Sequence, residues 1–335
     1  MGARFESRVA PGLLLLLLQL LVLGCGGTES NAPTPAPAKA FAGTIFVVRN
    51  SNGVEPLEAP VGIDGANREF WVPLDLSPYW PGDDAEFFQQ AILKNFSASQ
   101  DGRFLYVAAK GKIARFDLPE GGQLRELFDP FNSANIRVSP NGLMLAFQQP
   151  QEAQRVIIMN ASGTNPRAVF SPPPQAGLTY GPPVWVGNDR LMVAARLVTG
   201  VGPPTTWVTE MRSPDWEPQE YLPLRGAFVW GRTLLGTPDG DRLYVERVTM
   251  DADHRDTTEL VEYLIDQTDG VVKIRFPPQH GGAFVLSPDG SQVVTLGSLQ
   301  GLAVFDIATG LQLGGGFGKP GRMEVPVTWT AAEYP

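Results

Sequence analysis

Ser139-Pro140-Asn141-Gly142-Leu143-Met144-Leu145-Ala146-Phe147 and, a few residues on, Val156-Ile157-Ile158-Met159-Asn160-Ala161-Ser162-Gly163 decide how this chain is read. Pro presets φ at the second position of a turn, an Asn or Asp side chain can bond nearby backbone, and Gly takes the positive φ that closes it. The apolar run after the turn has strand length, and the second stretch is another apolar strand running into a polar turn that ends in Gly. Both signals repeat. Thr237-Pro238-Asp239-Gly240 and Ser287-Pro288-Asp289-Gly290 are near copies of the turn, and Ser99-Gln100-Asp101-Gly102 keeps its Asp-Gly. Ala303-Val304-Phe305-Asp306-Ile307-Ala308-Thr309-Gly310 repeats the second marker, with Ile113 to Asp117, Leu264 to Asp266 and Ile45 to Gly53 in the same slot. A period of roughly 40 to 50 residues is the range of propeller blades.

Working outward, the turns mark units near Gly102, Gly142, Asp189, Gly240, Gly290 and Glu333. Six blades are therefore expected, with a seventh, partial one left open by residues 61–95. The last unit holds only a first strand, while Gly43 to Pro60 begins with what reads as a third-strand pattern. Pairing the N- and C-terminal strands would close the ring and remove the exposed sheet edges. Composition agrees with an all-β propeller: 37 Gly and 31 Pro in 335 residues suit short strands joined by many turns.

The paired markers resemble the repeat of TolB-type propellers, in which a Trp-Ser-Pro-Asp-Gly-like turn alternates with an Ile-Tyr-Val-Met-Asp-x-Asp-Gly-like strand. The match is best over Ser139 to Arg167 and extends over most of residues 43–335. Two units depart from it: Trp185-Val186-Gly187-Asn188-Asp189 keeps the Trp but scrambles the turn, and Trp329-Thr330-Ala331-Ala332-Glu333 lacks the Gly. The resemblance implies a protein-binding propeller of the cell envelope. This chain shows no recognisable accessory α/β domain, and its N-terminus differs as well.

That N-terminus has Arg4 and Arg8 ahead of Leu13 to Leu23, apolar except for Gln19, and then the small Gly24 before Cys25. This is the layout of a secretory signal, too short to span a membrane. Leu21-Val22-Leu23-Gly24-Cys25 resembles the bacterial lipobox, which implies cleavage before Cys25 and its lipidation, with palmitate among the attached chains. Cys25 is the sole cysteine, so no internal disulfide can form. Several acyl chains, at about 0.8 kcal/mol per buried CH₂, give stable anchoring. The expected domains are a signal peptide over 1–24, a lipidated Cys with a Pro-rich tether over 25–40, and the propeller over 41–335. Gly26 after the cysteine favours the outer membrane.

Catalytic groupings are sparse. His254 and His280 are the only histidines and form no metal-binding pair, there is no Gly-x-Ser-x-Gly elbow, and no phosphate-binding loop is present. No cofactor and no metal are expected. A net charge of −9 without a basic stripe excludes nucleic acid as a natural partner. The Asp251 to Asp256 cluster lacks the spacing of a calcium loop and reads as a solvated hairpin tip. Trp185 and Trp329 occupy equivalent positions and should pack between blades. Tyr79, Trp80, Asp83, Asp84 and Trp216 fall in Pro-rich irregular stretches and are the candidate partner-binding residues, since loops on a rigid scaffold carry specificity. The leading expectation is a membrane-anchored, non-enzymatic module binding an envelope protein or glycan; the alternative is a propeller enzyme acting on glycans or small molecules.

Overall fold

The turn hydroxyl explains why each marker folds as it does. In the computed structural model, Ser99, Ser139, Thr237 and Ser287 are all buried, and each hydroxyl lies 2.5 to 2.8 Å from the carboxylate or amide oxygen of Asp101, Asn141, Asp239 or Asp289 two residues on. The same hydroxyl oxygen accepts the backbone N–H five residues on, from Phe104, Met144, Arg242 and Gln292, at 2.9 to 3.1 Å. Gly102, Gly142, Gly240 and Gly290 sit at φ of +73°, +71°, +83° and +73°, which the turn requires and an L side chain resists. The motif thus locks a first strand to a second.

The structure describes residues 39–50, 61–71, 96–109, 112–118, 125–128, 134–149, 154–172, 175–199, 205–224, 229–250, 256–278, 280, 283–296, 301–317 and 323–334, all within the unit Lys39–Pro335. They contain strands and turns and no helix. The chain enters through β1 (Thr44–Asn50), β2 (Val61–Asp64) and β3 (Glu69–Trp71). Blade 1 follows as β4 (Phe96–Ala98), β5 (Phe104–Ala109), β6 (Lys112–Asp117) and β7 (Arg125–Phe128), and blade 2 as β8 (Ala134–Val138), β9 (Met144–Gln149), β10 (Arg155–Asn160) and β11 (Arg167–Phe170). Blade 3 comprises β12 (Leu178–Tyr180) and β13 (Val184–Val186), both paired with β14 (Arg190–Leu197), then β15 (Thr205–Arg212) and β16 (Pro218–Leu224). Blade 4 is β17 (Val229–Gly236), β18 (Arg242–Met250), β19 (Asp256–Leu264) and β20 (Val271–Arg275), and blade 5 is β21 (Phe284–Leu286), β22 (Gln292–Leu296), β23 (Leu302–Asp306) and β24 (Gln312–Phe317). The last strand, β25 (Met323–Thr330), pairs antiparallel with β1 and completes blade 6 in the order β25-β1-β2-β3. The fold is a six-bladed all-β propeller closed by the two chain ends.

One expectation about that closure is corrected. Ile45 lies opposite Trp329, so β1 is the second strand of its blade and not the third. Both kinds of strand are fully buried apolar runs and look alike in sequence; the preceding turn tells them apart, and here the turn is divided between the termini. The missing strands come from residues 61–71, which form β2 and β3, so this stretch belongs to blade 6.

The core lies between blades. Ala146, Val156 and Ile158 of blade 2 pack with Trp185, Leu191, Val193 and Met211 of blade 3, and Ile45, Val47 and Trp329 of blade 6 pack with Val294, Leu302 and Val304 of blade 5. Trp185 and Trp329 are therefore inter-blade wedges, as their equivalent positions suggested, and each indole N–H donates to a carbonyl, of Arg137 and Ala42, at 3.1 and 2.9 Å. Gly236 has no room for a side chain: a Cβ there would stand 2.0 Å from the Trp185 carbonyl oxygen. The inner strands of blades 3 and 4 can meet only because it is glycine.

Candidate binding site in the central channel

The first strands of the blades, β4, β8, β13, β17, β21 and β25, touch one another in sequence and return from β25 to β4. They surround a cavity of about 200 Å³ open to solvent. Aligning the blades on their turns shows what each strand contributes. The residue two places before the turn hydroxyl is Ser97, Arg137, Leu235, Val285 and Thr328 in blades 1, 2, 4, 5 and 6, and Val184 holds this register in blade 3. All six line the cavity. The Thr328 hydroxyl accepts the Ala98 N–H at 3.3 Å and the Ser97 hydroxyl accepts the Val138 N–H at 3.1 Å, so both serve the next blade. Three others are aliphatic.

Arg137 is the exception. Among the described residues lining the cavity it alone is ionisable. Its Nη1 donates to the Ile136 carbonyl at 2.8 Å, one bond for a group with five N–H donors. Enclosure by the six strands pulls its guanidinium down to about 10, yet leaves it charged at neutral pH. Arg137 is half-buried and lines the cavity. One layer out, Glu246 on β18 is pushed up by burial, against a side-chain hydrogen bond with the cavity-lining Thr233.

At the turn face, neighbouring turns are stitched together. The Asn141 N–H donates to Asn188 Oδ1 at 2.8 Å, the Gly187 N–H to the Thr237 carbonyl at 2.9 Å, and the Ala331 N–H to the Gln100 carbonyl at 2.9 Å. The Gln100 side-chain amide donates across to the Pro288 carbonyl. Between the turns of blades 1 and 2 a notch of about 310 Å³ opens, lined by Gln100, Asp101, Pro140, Asn141 and Ala331. Gln100 and Pro140 border notch and channel alike.

The residues singled out from sequence fall elsewhere. Cys25, Tyr79, Trp80, Asp83 and Asp84 lie outside the described residues, the last four in the connection between β3 and β4. Trp216 is a correction: it is 8% exposed, and its ring packs edge-on against Trp185 at 5.9 Å in the core between blades 2 and 3. The Pro-rich stretch around it suggested an exposed loop, but the indole is needed to fill the interface beside Trp185. Most of the Asp251 to Asp256 cluster is also outside the described residues, and His280 stands edge-on to Phe305 at 5.8 Å. Among the described residues no group of three or more His, Cys, Asp or Glu could hold a metal ion, and no helix is long and apolar enough to cross a membrane. Arg137 was missed because a single Arg is unremarkable until the blades are aligned, when it becomes the one charge in its column.

No family model and no curated sequence matches the chain. Among solved structures, TolB from Acinetobacter baumannii is similar over 89% of this chain and 68% of that one, with a TM-score of 0.57 and 13% identity. A putative TolB from Agrobacterium tumefaciens is similar over 70% of this chain and 85% of that one, with a TM-score of 0.50 and 16% identity. At these identities the likeness is one of fold, and the fold is that of a TolB-like six-bladed β-propeller.

Proposed function

We propose that this protein is a non-enzymatic binding module of the bacterial cell envelope, held to a membrane by lipid on Cys25 and presenting the turn face of its propeller to a protein partner. The observation that carries this reading is the channel: six inner strands enclose an open, largely apolar cavity with one cationic side chain in its described lining. Paired acid and base groups, which proton-transfer chemistry requires, do not converge there among the described residues. A concave apolar site with a single placed polar group suits recognition. The basic and apolar leader, the lone cysteine and the Pro-rich tether support export and anchoring, with the outer membrane favoured by Gly26. Tyr79, Trp80, Asp83 and Asp84 remain proposed partner contacts.

The test is an affinity pull-down from crosslinked envelopes with the tagged full chain, using Cys25→Ala to separate membrane placement from partner binding. One dominant protein partner, recovered less well with Cys25→Ala, is the expected result. Failure to enrich any protein, together with turnover of envelope glycan by the purified chain, would replace this reading with an enzymatic one.

A further inference from the structure

Arg137 is costly where it stands. A guanidinium withdrawn from bulk water loses hydration that one bond to a neutral carbonyl cannot replace, and such groups are ordinarily paired with an anion. Its equivalents around the ring show that the fold does not require a charge: serine and threonine serve there by capping the neighbouring strand, and valine or leucine by packing. Among the described residues the side chain forms no ion pair, and Arg137 lines the open cavity.

We propose that Arg137 anchors an anion site that admits one carboxylate into the central channel, its apolar remainder lying against Val184, Leu235 and Val285. The inference deepens the binding-module reading and rests on it for the identity of the natural ligand. Size and charge set the class. A cavity of about 200 Å³ takes a side chain or a small organic acid and excludes a folded domain. A carboxylate carries one negative charge and two acceptor oxygens, which one guanidinium can match in a forked pair. A phosphate dianion would bring a second charge to a lining that offers no second cation among the described residues.

The site can be read from the backbone N–H resonances of the channel-lining Val138, Val184 and Leu235 in a ¹⁵N-correlated NMR spectrum of the full-length chain, titrated with benzoate and with its uncharged counterpart benzamide. Saturable benzoate shifts that are absent with benzamide and weakened about tenfold or more in Arg137→Gln are expected, since charge-assisted pairing is lost. N-acetyl-leucine and N-acetyl-glutamate amide then distinguish a chain-terminal carboxylate from an acidic side chain, and tighter binding of either supports the site and names its source. A benzoate response equal to that of benzamide, or unchanged in a folded Arg137→Gln protein, would overturn the proposal, as would preferential binding of phenylphosphonate. Partner capture that survives Arg137→Gln would leave the binding module standing without this site. Benzoate binding with no partner captured would do the reverse.

Discussion

Asp101, Asp239 and Asp289 show how one carboxylate can serve a repeat. Burial raises each carboxyl, but hydrogen bonds from the turn hydroxyl and from the backbone N–H two residues on outweigh it, holding all three below the ordinary aspartate value. A depressed native pKa means that the unfolded chain binds more protons as pH falls, so this stabilisation is present above about pH 4 and is lost as pH drops through the native values. Replacing all three with Asn, as blade 2 already has at Asn141, should flatten the loss of stability below about pH 4. Urea midpoints at pH 3 and 6 check this, and an unchanged difference would assign acid sensitivity elsewhere. Glycines give a second residue-scale contrast. Gly142 has positive φ but open space around its Cβ position, so Gly142→Ala should cost about 1 kcal/mol from backbone strain alone. Gly236→Ala, driven into the Trp185 carbonyl, should cost about 3 kcal/mol or more, measured by denaturant unfolding.

At the scale of elements, the closing blade is where local sequence was least informative. Four turns with Asp-Gly or Asn-Gly were legible because each is contiguous, and with them most of blades 1, 2, 4 and 5. Blade 3 was harder, since Val186 replaces the hydroxyl and the connection to Arg190 is shorter. Blade 6 has no contiguous turn at all. Its equivalent hydroxyl residue is Thr330, and the chain that continues its sheet begins at Gly43, so nothing local could separate a second from a third strand. The last residues compensate for this division. Thr44 donates to the Ala332 carbonyl at 2.9 Å, Lys39 pairs with Glu333 at 2.5 Å, and buried Tyr334 donates to the Gly102 carbonyl while packing near Phe46 and Phe70. Ending the chain after Thr330 should therefore cost about 3 kcal/mol, much of it from Tyr334, visible as a lowered melting temperature. A truncated chain that melts like the full one would show that β25 alone closes the ring.

For the whole molecule, the repeat and the binding surface obey opposite rules. What recurs in blades 1, 2, 4 and 5, the turn hydroxyl, the Asp or Asn and the positive-φ glycine, builds the scaffold. Arg137 breaks the repeat, and the proposed binding site is centred on it for that reason. Sequence reading favoured tryptophan-bearing irregular stretches as contacts, which failed for Trp216 because an irregular connection can still insert its side chain into an inter-blade core. The account places recognition at the turn face, and site-specific photocrosslinking in intact envelopes tests that placement most directly. A benzophenone side chain at Asn141, on the rim of the notch, is compared with one at exposed Val271 on the outer strand β20. The account predicts a discrete protein adduct from position 141 and none from 271; an adduct confined to 271 would contradict it and move recognition to the outer edge of blade 4.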